Sequence, residues 1–256
     1  MVIYTVASGK GGVGKTIYTI NTAIAMADLN LNILVVDNDI AMADIGAVID
    51  VNLNKNASLH EVLAGDVEPL DAIIKTPYGF DMLPCGTSIK GFKNTNPDNL
   101  KSIMDNISKK YDAVFIDAPA GISKEGIMSL VIANEVILIT TPELPSIANI
   151  IKTKIMADAA HTKIKGIVIN KVMNIKGEIS TQKVEKMINA EVIGTIPYDV
   201  NVIKSVLHRS PIIRKAPNSS ASNSIKKIAM NIANIPEKED VNNGGFFDKI
   251  KSIFNK

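Results

Sequence analysis

Apolar residues fall along the chain in short β-branched runs, and between these runs they recur at helical spacing. Val2-Ile3-Tyr4-Thr5-Val6-Ala7 reads as a buried strand, as do residues 32–37 and 112–117, each of which closes on an acid, Asp37 and Asp117. Further strands are expected over 80–84, 135–140, 165–170 and 191–196, with 47–50 as a short strand continuation. After Lys15, the spacing of Ile20, Ala23, Ile24 and Ala27 predicts a helix. Ser58 with Glu61 three residues later marks a capped helical turn. Asn96-Pro97-Asp98 opens a helix running to about residue 109, and helices are also expected over 145–160, 181–189 and 220–235. Strands alternating with helices predict an α/β fold, a doubly wound, mostly parallel sheet with helices on both faces. One domain is expected over 1–235.

Beyond Pro236 the pattern changes. Residues 236–245 are polar and end in Gly244-Gly245, which reads as a flexible linker. In the following segment, 246–256, the residues Phe246, Phe247, Ile250, Ile253 and Phe254 share one helical face, flanked by Lys249, Lys251 and Lys256. Periodicity alone suits a last core helix equally well; the glycine linker favours a tethered helix lying in a membrane interface, too short to span a bilayer.

The chain has 256 residues, 46% hydrophobic and 21% charged, values of an ordinary globular protein. The formal net charge of +2 gives no global attraction to nucleic acid. Cys85 is the single cysteine, which excludes an intrachain disulfide and any multi-thiolate zinc or iron–sulfur site within one subunit, and fits a cytoplasmic setting. The first residues read as a strand, so no signal peptide is expected. No apolar run reaches the roughly 18 residues of a transmembrane helix.

Between the first strand and first helix stands Gly9-Lys10-Gly11-Gly12-Val13-Gly14-Lys15-Thr16, which fits the phosphate-loop pattern G-x-x-x-x-G-K-[ST] in its required strand–loop–helix context, the P-loop NTPase fold. Backbone N–H groups from Gly11 to Ile17 are expected to cradle phosphate oxygens, with Lys15 at the β- and γ-phosphates and the Thr16 hydroxyl on Mg²⁺. Asp117, followed by Ala118-Pro119-Ala120-Gly121, ends its strand as a Walker-B-type acid would, holding Mg²⁺ through water, and Gly121 frees the loop to approach the γ-phosphate. Asp37 and Asp39 form a second acidic pair at the neighbouring strand end; helix capping or a solvated loop is the plainer role for such aspartates, but their convergence on the phosphate site points to metal and water.

The second lysine of the loop, in Lys10-Gly11-Gly12-Val13-Gly14-Lys15-Thr16, resembles the deviant Walker A loop of the MinD/ParA ATPases, a group that includes nitrogenase iron protein. The resemblance implies a sandwich homodimer in the ATP state, with Lys10 reaching the phosphates held by the partner subunit, Asp39 near the attacking water and Asp117 in the second switch. It also implies slow, dimerisation-dependent hydrolysis of ATP to ADP, with ATP/ADP and Mg²⁺ as cofactors. Asn170, before Lys171, resembles the adenine-recognition asparagine; Pro197 and Asp199, in Ile196-Pro197-Tyr198-Asp199, resemble the last base-contacting loop. Thr141-Pro142-Glu143 resembles a segment near the dimer interface. Asp44 departs from the family, since bacterial MinD proteins usually carry asparagine there. The tail resembles a C-terminal membrane-targeting helix, implying peripheral, reversible attachment to the inner face of the cell membrane, with an activator or cargo protein as further partner and no specific nucleic acid.

The functional expectation is therefore a MinD-type ATPase that cycles on and off the membrane to position cell-division or other machinery. The alternative is a ParA-type partition ATPase whose ATP dimer binds DNA non-specifically, which needs a basic surface and strong salt dependence. An iron–sulfur carrier comes third, because C-x-x-C is absent and Cys85 supplies at most a pair across a dimer.

Overall fold

The computed structural model describes residues 1–39, 45–51, 57–86 and 99–235. Its chain runs β1 (Val2–Ser8), α1 (Lys15–Ala27), β2 (Ile33–Asp37), α2 (Ile45–Val48), α3 (Leu59–Ala64), β3 (Ile74–Lys75), β4 (Asp81–Leu83) and α4 (Leu100–Ile107). It continues through β5 (Ala113–Asp117), α5 (Lys124–Ile132), β6 (Glu135–Thr140), α6 (Leu144–Ala159), β7 (Lys163–Val172), α7 (Thr181–Ile188), β8 (Val192–Pro197), α8 (Val200–Leu207), α9 (Ile212–Lys215) and α10 (Ser220–Ile232).

The strands form one sheet in the order β3-β4-β2-β5-β1-β6-β7-β8, parallel throughout except for the β3–β4 pair. β1 lies between β5 and β6, so the loop that follows it opens at the middle of the sheet's carboxyl edge, where open α/β sheets bind ligands. Period-two alternation divides the strand side chains between two layers. Tyr4, Val6, Val35, Phe115 and Val168 pack with α1, α9 and α10 on one face. Leu34, Val36, Val114 and Ile116 pack with α3 and α4 on the other, and beside them Leu138, Ile167 and Ile169 meet α6 and α7. Both faces are covered, which is why the strands read as nearly continuous apolar runs.

The expected α/β sheet is the observed one. The capped turn at Ser58 is present as α3, with the Ser58 amide donating to the Glu61 carboxylate at 2.9 Å. Residues 47–50 are a correction: Ile45–Val48 is a helical turn, with Val48 and Ile49 buried against the α1 face. A four-residue apolar run carries no periodicity to separate helix from strand. The N-terminal part of the helix expected from Asn96, the linker 236–245, the tail 246–256 and Asp44 lie outside the described residues.

Candidate nucleotide site

β1 ends at Ser8 and α1 begins at Lys15, and the glycine loop closes the gap between them. Gly12 and Gly14 take φ of 76° and 94°, left-handed values that a residue with a Cβ adopts only at a cost. Gly14 is the N-cap of α1, which among the described residues has no side-chain cap and no acid in its first turn, the arrangement in which leading N–H groups can receive an anion. A Cβ at Gly11 or Gly12 would meet nothing within 4 Å, so the loop borders open space. That space is a cavity of about 450 Å³ lined by Lys10, Gly11, Gly12, Val13, Gly14, Lys15, Thr16, Ile17, Asp39, Asn170, Pro197 and Asp199. The glycine loop, Asp39 and the residues expected from sequence on the base side, Asn170, Pro197 and Asp199, thus line one cavity.

Beneath the loop, Asp117 organises the polar floor. Its Oδ1 lies 2.8 Å from the Lys15 ammonium, its Oδ2 accepts from the Thr16 hydroxyl at 2.6 Å, and Thr19 donates to Oδ1 at 3.1 Å. The lysine and carboxylate side chains are only 8% and 1% exposed, so the pair is desolvated and each partner depends on the other. Asp37 is equally buried. Its Oδ1 accepts from the Asp39 amide at 3.2 Å, whereas Oδ2 has no hydrogen-bond partner among the described residues. Burial, and secondarily the charge of Asp117, pushes the Asp37 carboxyl well above the usual range. The loop after β5 is tied back to β1 by the Gly121 amide, which donates to the Ser8 carbonyl at 3.0 Å, with Gly121 at φ 79°.

Lys10 behaves differently from Lys15. It stands at the outer lip, 36% exposed, and forms an ion pair with Glu143 at 2.7 Å. The Lys10 ammonium, which donates to Glu143, holds that carboxyl below its ordinary range. Asn170 donates to the Val13 carbonyl at 2.7 Å. Asp199 lines the cavity, but its carboxylate is engaged in capping: Oδ1 accepts from the Asn201 amide at 2.9 Å, and Oδ2 from the Ala221 amide at 3.3 Å at the start of α10.

The residues fit a nucleotide with Mg²⁺. The buried Asp37 oxygen, without a hydrogen-bond partner among the described residues, sits at the strand end paired with that of Asp117, which accepts from the Thr16 hydroxyl below the glycine loop. Among the described residues no group of three or more His, Cys, Asp or Glu side chains forms a metal cage of its own. Mg²⁺ commonly relies on one or two carboxylates plus substrate phosphates, so this sparse donor set suits it. The apolar wall formed by Val48, Val202, Ile203 and Ile225 was not expected from sequence, because residues at helical spacing read as core before the fold places them on a cavity. Another partner missed was Asn38, whose buried amide donates to the Ser129 hydroxyl at 2.7 Å and ties the β2 end to α5.

Residues 1–233 match the ParA family, described as NUBPL iron-transfer P-loop NTPase. The chain belongs to the ParA/MinD family of P-loop NTPases. It is 37% identical over 257 residues to an uncharacterised ATP-binding protein of Methanocaldococcus jannaschii, covering 98% of this chain and 97% of the relative. It is 27% identical to the septum site-determining protein MinD of Thermotoga maritima, covering 99% and 97% of the two chains. Among solved structures, MinD of Pyrococcus horikoshii complexed with Mg-ADP superposes with a TM-score of 0.86 at 28% identity, over 90% of this chain and 95% of that one. As a ParA/MinD-family member, the chain carries the family's phosphate loop on the family's sheet.

Proposed function

We propose that this ParA/MinD-family chain is a MinD-type ATPase: a monomer that dimerises on ATP, hydrolyses it slowly and uses the dimer to attach reversibly to a membrane surface. The observation that carries this reading is the contrast between the two loop lysines. Lys15 is sealed against Asp117, while Lys10 projects at the exposed lip, where among the described residues it pairs with the half-exposed Glu143. An exposed ion pair of this kind is worth little and is readily exchanged for a phosphate. Lys15 meets the nucleotide held by its own subunit; Lys10 is available to the one held by the partner.

In the reaction, water attacks the γ-phosphorus, the bond to the β–γ bridging oxygen breaks, and ADP and phosphate leave. The Thr16 hydroxyl, with Asp117 and Asp37 behind it, would hold Mg²⁺, which would supply neutralising charge on the phosphate oxygens. Lys15 and the amides of Gly11 to Ile17 position and neutralise the phosphates, and Asp39 orients the water. Lys10 of the partner completes the charge only in the dimer, which makes hydrolysis dimerisation-dependent. Asn170, Pro197 and Asp199 flank the base.

Phe246, Phe247, Ile250, Ile253 and Phe254, spaced in the sequence for one helical face, are the proposed membrane contacts. One such helix binds weakly, and pairing two copies raises avidity through effective concentration. Positioning of a cargo by this cycle, with a protein activator of hydrolysis, completes the reading. Co-sedimentation with anionic liposomes tests it. ATP should drive the full chain, but not a chain ending at Ile235, into the pellet. Equal pelleting of the two, or salt-sensitive capture on DNA instead, would overturn the membrane role.

A further inference from the structure

The register between β7 and β8 pairs Ile169 with Thr195 and then Val172 with Pro197, so β7 carries one residue more than β8 across this span. This is a β-bulge, a device that re-aims side chains beside functional sites. The two residues within it are Asn170 and Lys171. In a regular strand their side chains would point to opposite faces. Lys171 instead takes φ of 60°, a left-handed conformation uncommon for a residue with a long side chain. The turn brings both side chains onto the glycine loop. The Asn170 amide donates to the Val13 carbonyl and the Lys171 ammonium to the Gly12 carbonyl, each at 2.7 Å.

The geometry points to Lys171 as a positioning residue for the phosphate loop. Consecutive carbonyls of the loop are drawn toward β7, so the N–H groups of the same two peptide units, those of Val13 and Gly14, are held pointing away from it. A glycine loop is conformationally free, and holding its amides in the binding arrangement beforehand removes an ordering cost from nucleotide binding. The left-handed backbone at Lys171 is the strained element, and strain of this type is retained where a site requires it. Lys171 acts through Gly12 and touches no reacting atom. This role rests on the nucleotide-binding reading above, but it concerns the loop itself and is measurable without nucleotide.

The test compares the full chain with Lys171→Met and Lys171→Arg by amide hydrogen exchange without nucleotide, and then by titration with a fluorescent ATP analogue. Lys171→Met should speed exchange of the Gly11–Gly14 amides by roughly threefold to tenfold and weaken nucleotide binding by a similar factor, as expected for loss of one hydrogen bond. Lys171→Arg, which retains a cationic donor, should restore both, and Tm should be unchanged in either variant. Unchanged loop exchange in Lys171→Met overturns the positioning role, and a drop in affinity without it would mark Lys171 as a direct phosphate contact. Absence of nucleotide binding by the unmodified chain would defeat the ATPase reading, while the exchange data would still decide the clasp.

Discussion

Asp117 holds Lys15 at 2.8 Å from Oδ1 and the Thr16 hydroxyl at 2.6 Å from Oδ2, so one buried carboxylate keeps in place both side chains proposed to meet phosphate and metal. The pair joins the end of β5 to the start of α1 and sets the loop at a fixed height above the sheet edge.

Lys15→Ala removes the cation from both roles. Nucleotide affinity should fall roughly 10- to 100-fold, the worth of hydrogen bonds to a charged group. Stability without nucleotide should fall by about 3 kcal/mol, because Asp117 is left buried with only hydroxyl partners. Calorimetric titration and urea unfolding measure the two effects; loss of affinity with unchanged stability would show that the ion pair is not formed in solution.

Gly14→Ala places a Cβ 2.4 Å from the Asn170 amide nitrogen on a backbone at φ 94°. The asparagine must leave the Val13 carbonyl, and the left-handed conformation itself costs about 1–2 kcal/mol. Chemical unfolding should show that loss, accompanied by weaker nucleotide binding; wild-type values in both would mean the loop adopts another conformation.

Asp199→Ala removes the N-cap of α8 and an acceptor at the start of α10. Stability should fall by about 1–2 kcal/mol, the usual cost of a lost cap. Asp199→Asn, which preserves an acceptor oxygen, should recover most of it. Lost nucleotide affinity with unchanged stability would make the side chain a base contact only.

The sheet was legible because a strand buried on both faces needs a β-branched apolar run, and β2, β5 and β6 have such runs. The phosphate loop was legible because glycines, lysine and threonine at fixed offsets serve one geometry. Less could be read where a single turn was short or uniformly apolar. Ile45–Val48 formed a helix where strand was expected, and β3, with two residues, is fixed by pairing with β4 rather than by its own pattern. The Asn170–Lys171 clasp is invisible in sequence, since it depends on a bulge that forms only when β7 and β8 are in register. Likewise Glu143 meets Lys10 across 133 positions of chain, a distance no local pattern reports.

Lys10, the residue on which dimerisation and hydrolysis depend in the proposed cycle, stands at the exposed edge of the loop beside Glu143. Analytical ultracentrifugation with ATP and Mg²⁺, paired with hydrolysis rates over a range of protein concentrations, tests it most directly. The intact chain should sediment as a dimer and hydrolyse faster per subunit as concentration rises. Lys10→Ala should bind ATP with nearly unchanged affinity, remain a monomer and lose the concentration dependence. A Lys10→Ala chain that still dimerises on ATP and hydrolyses it at the unmodified rate would contradict the account.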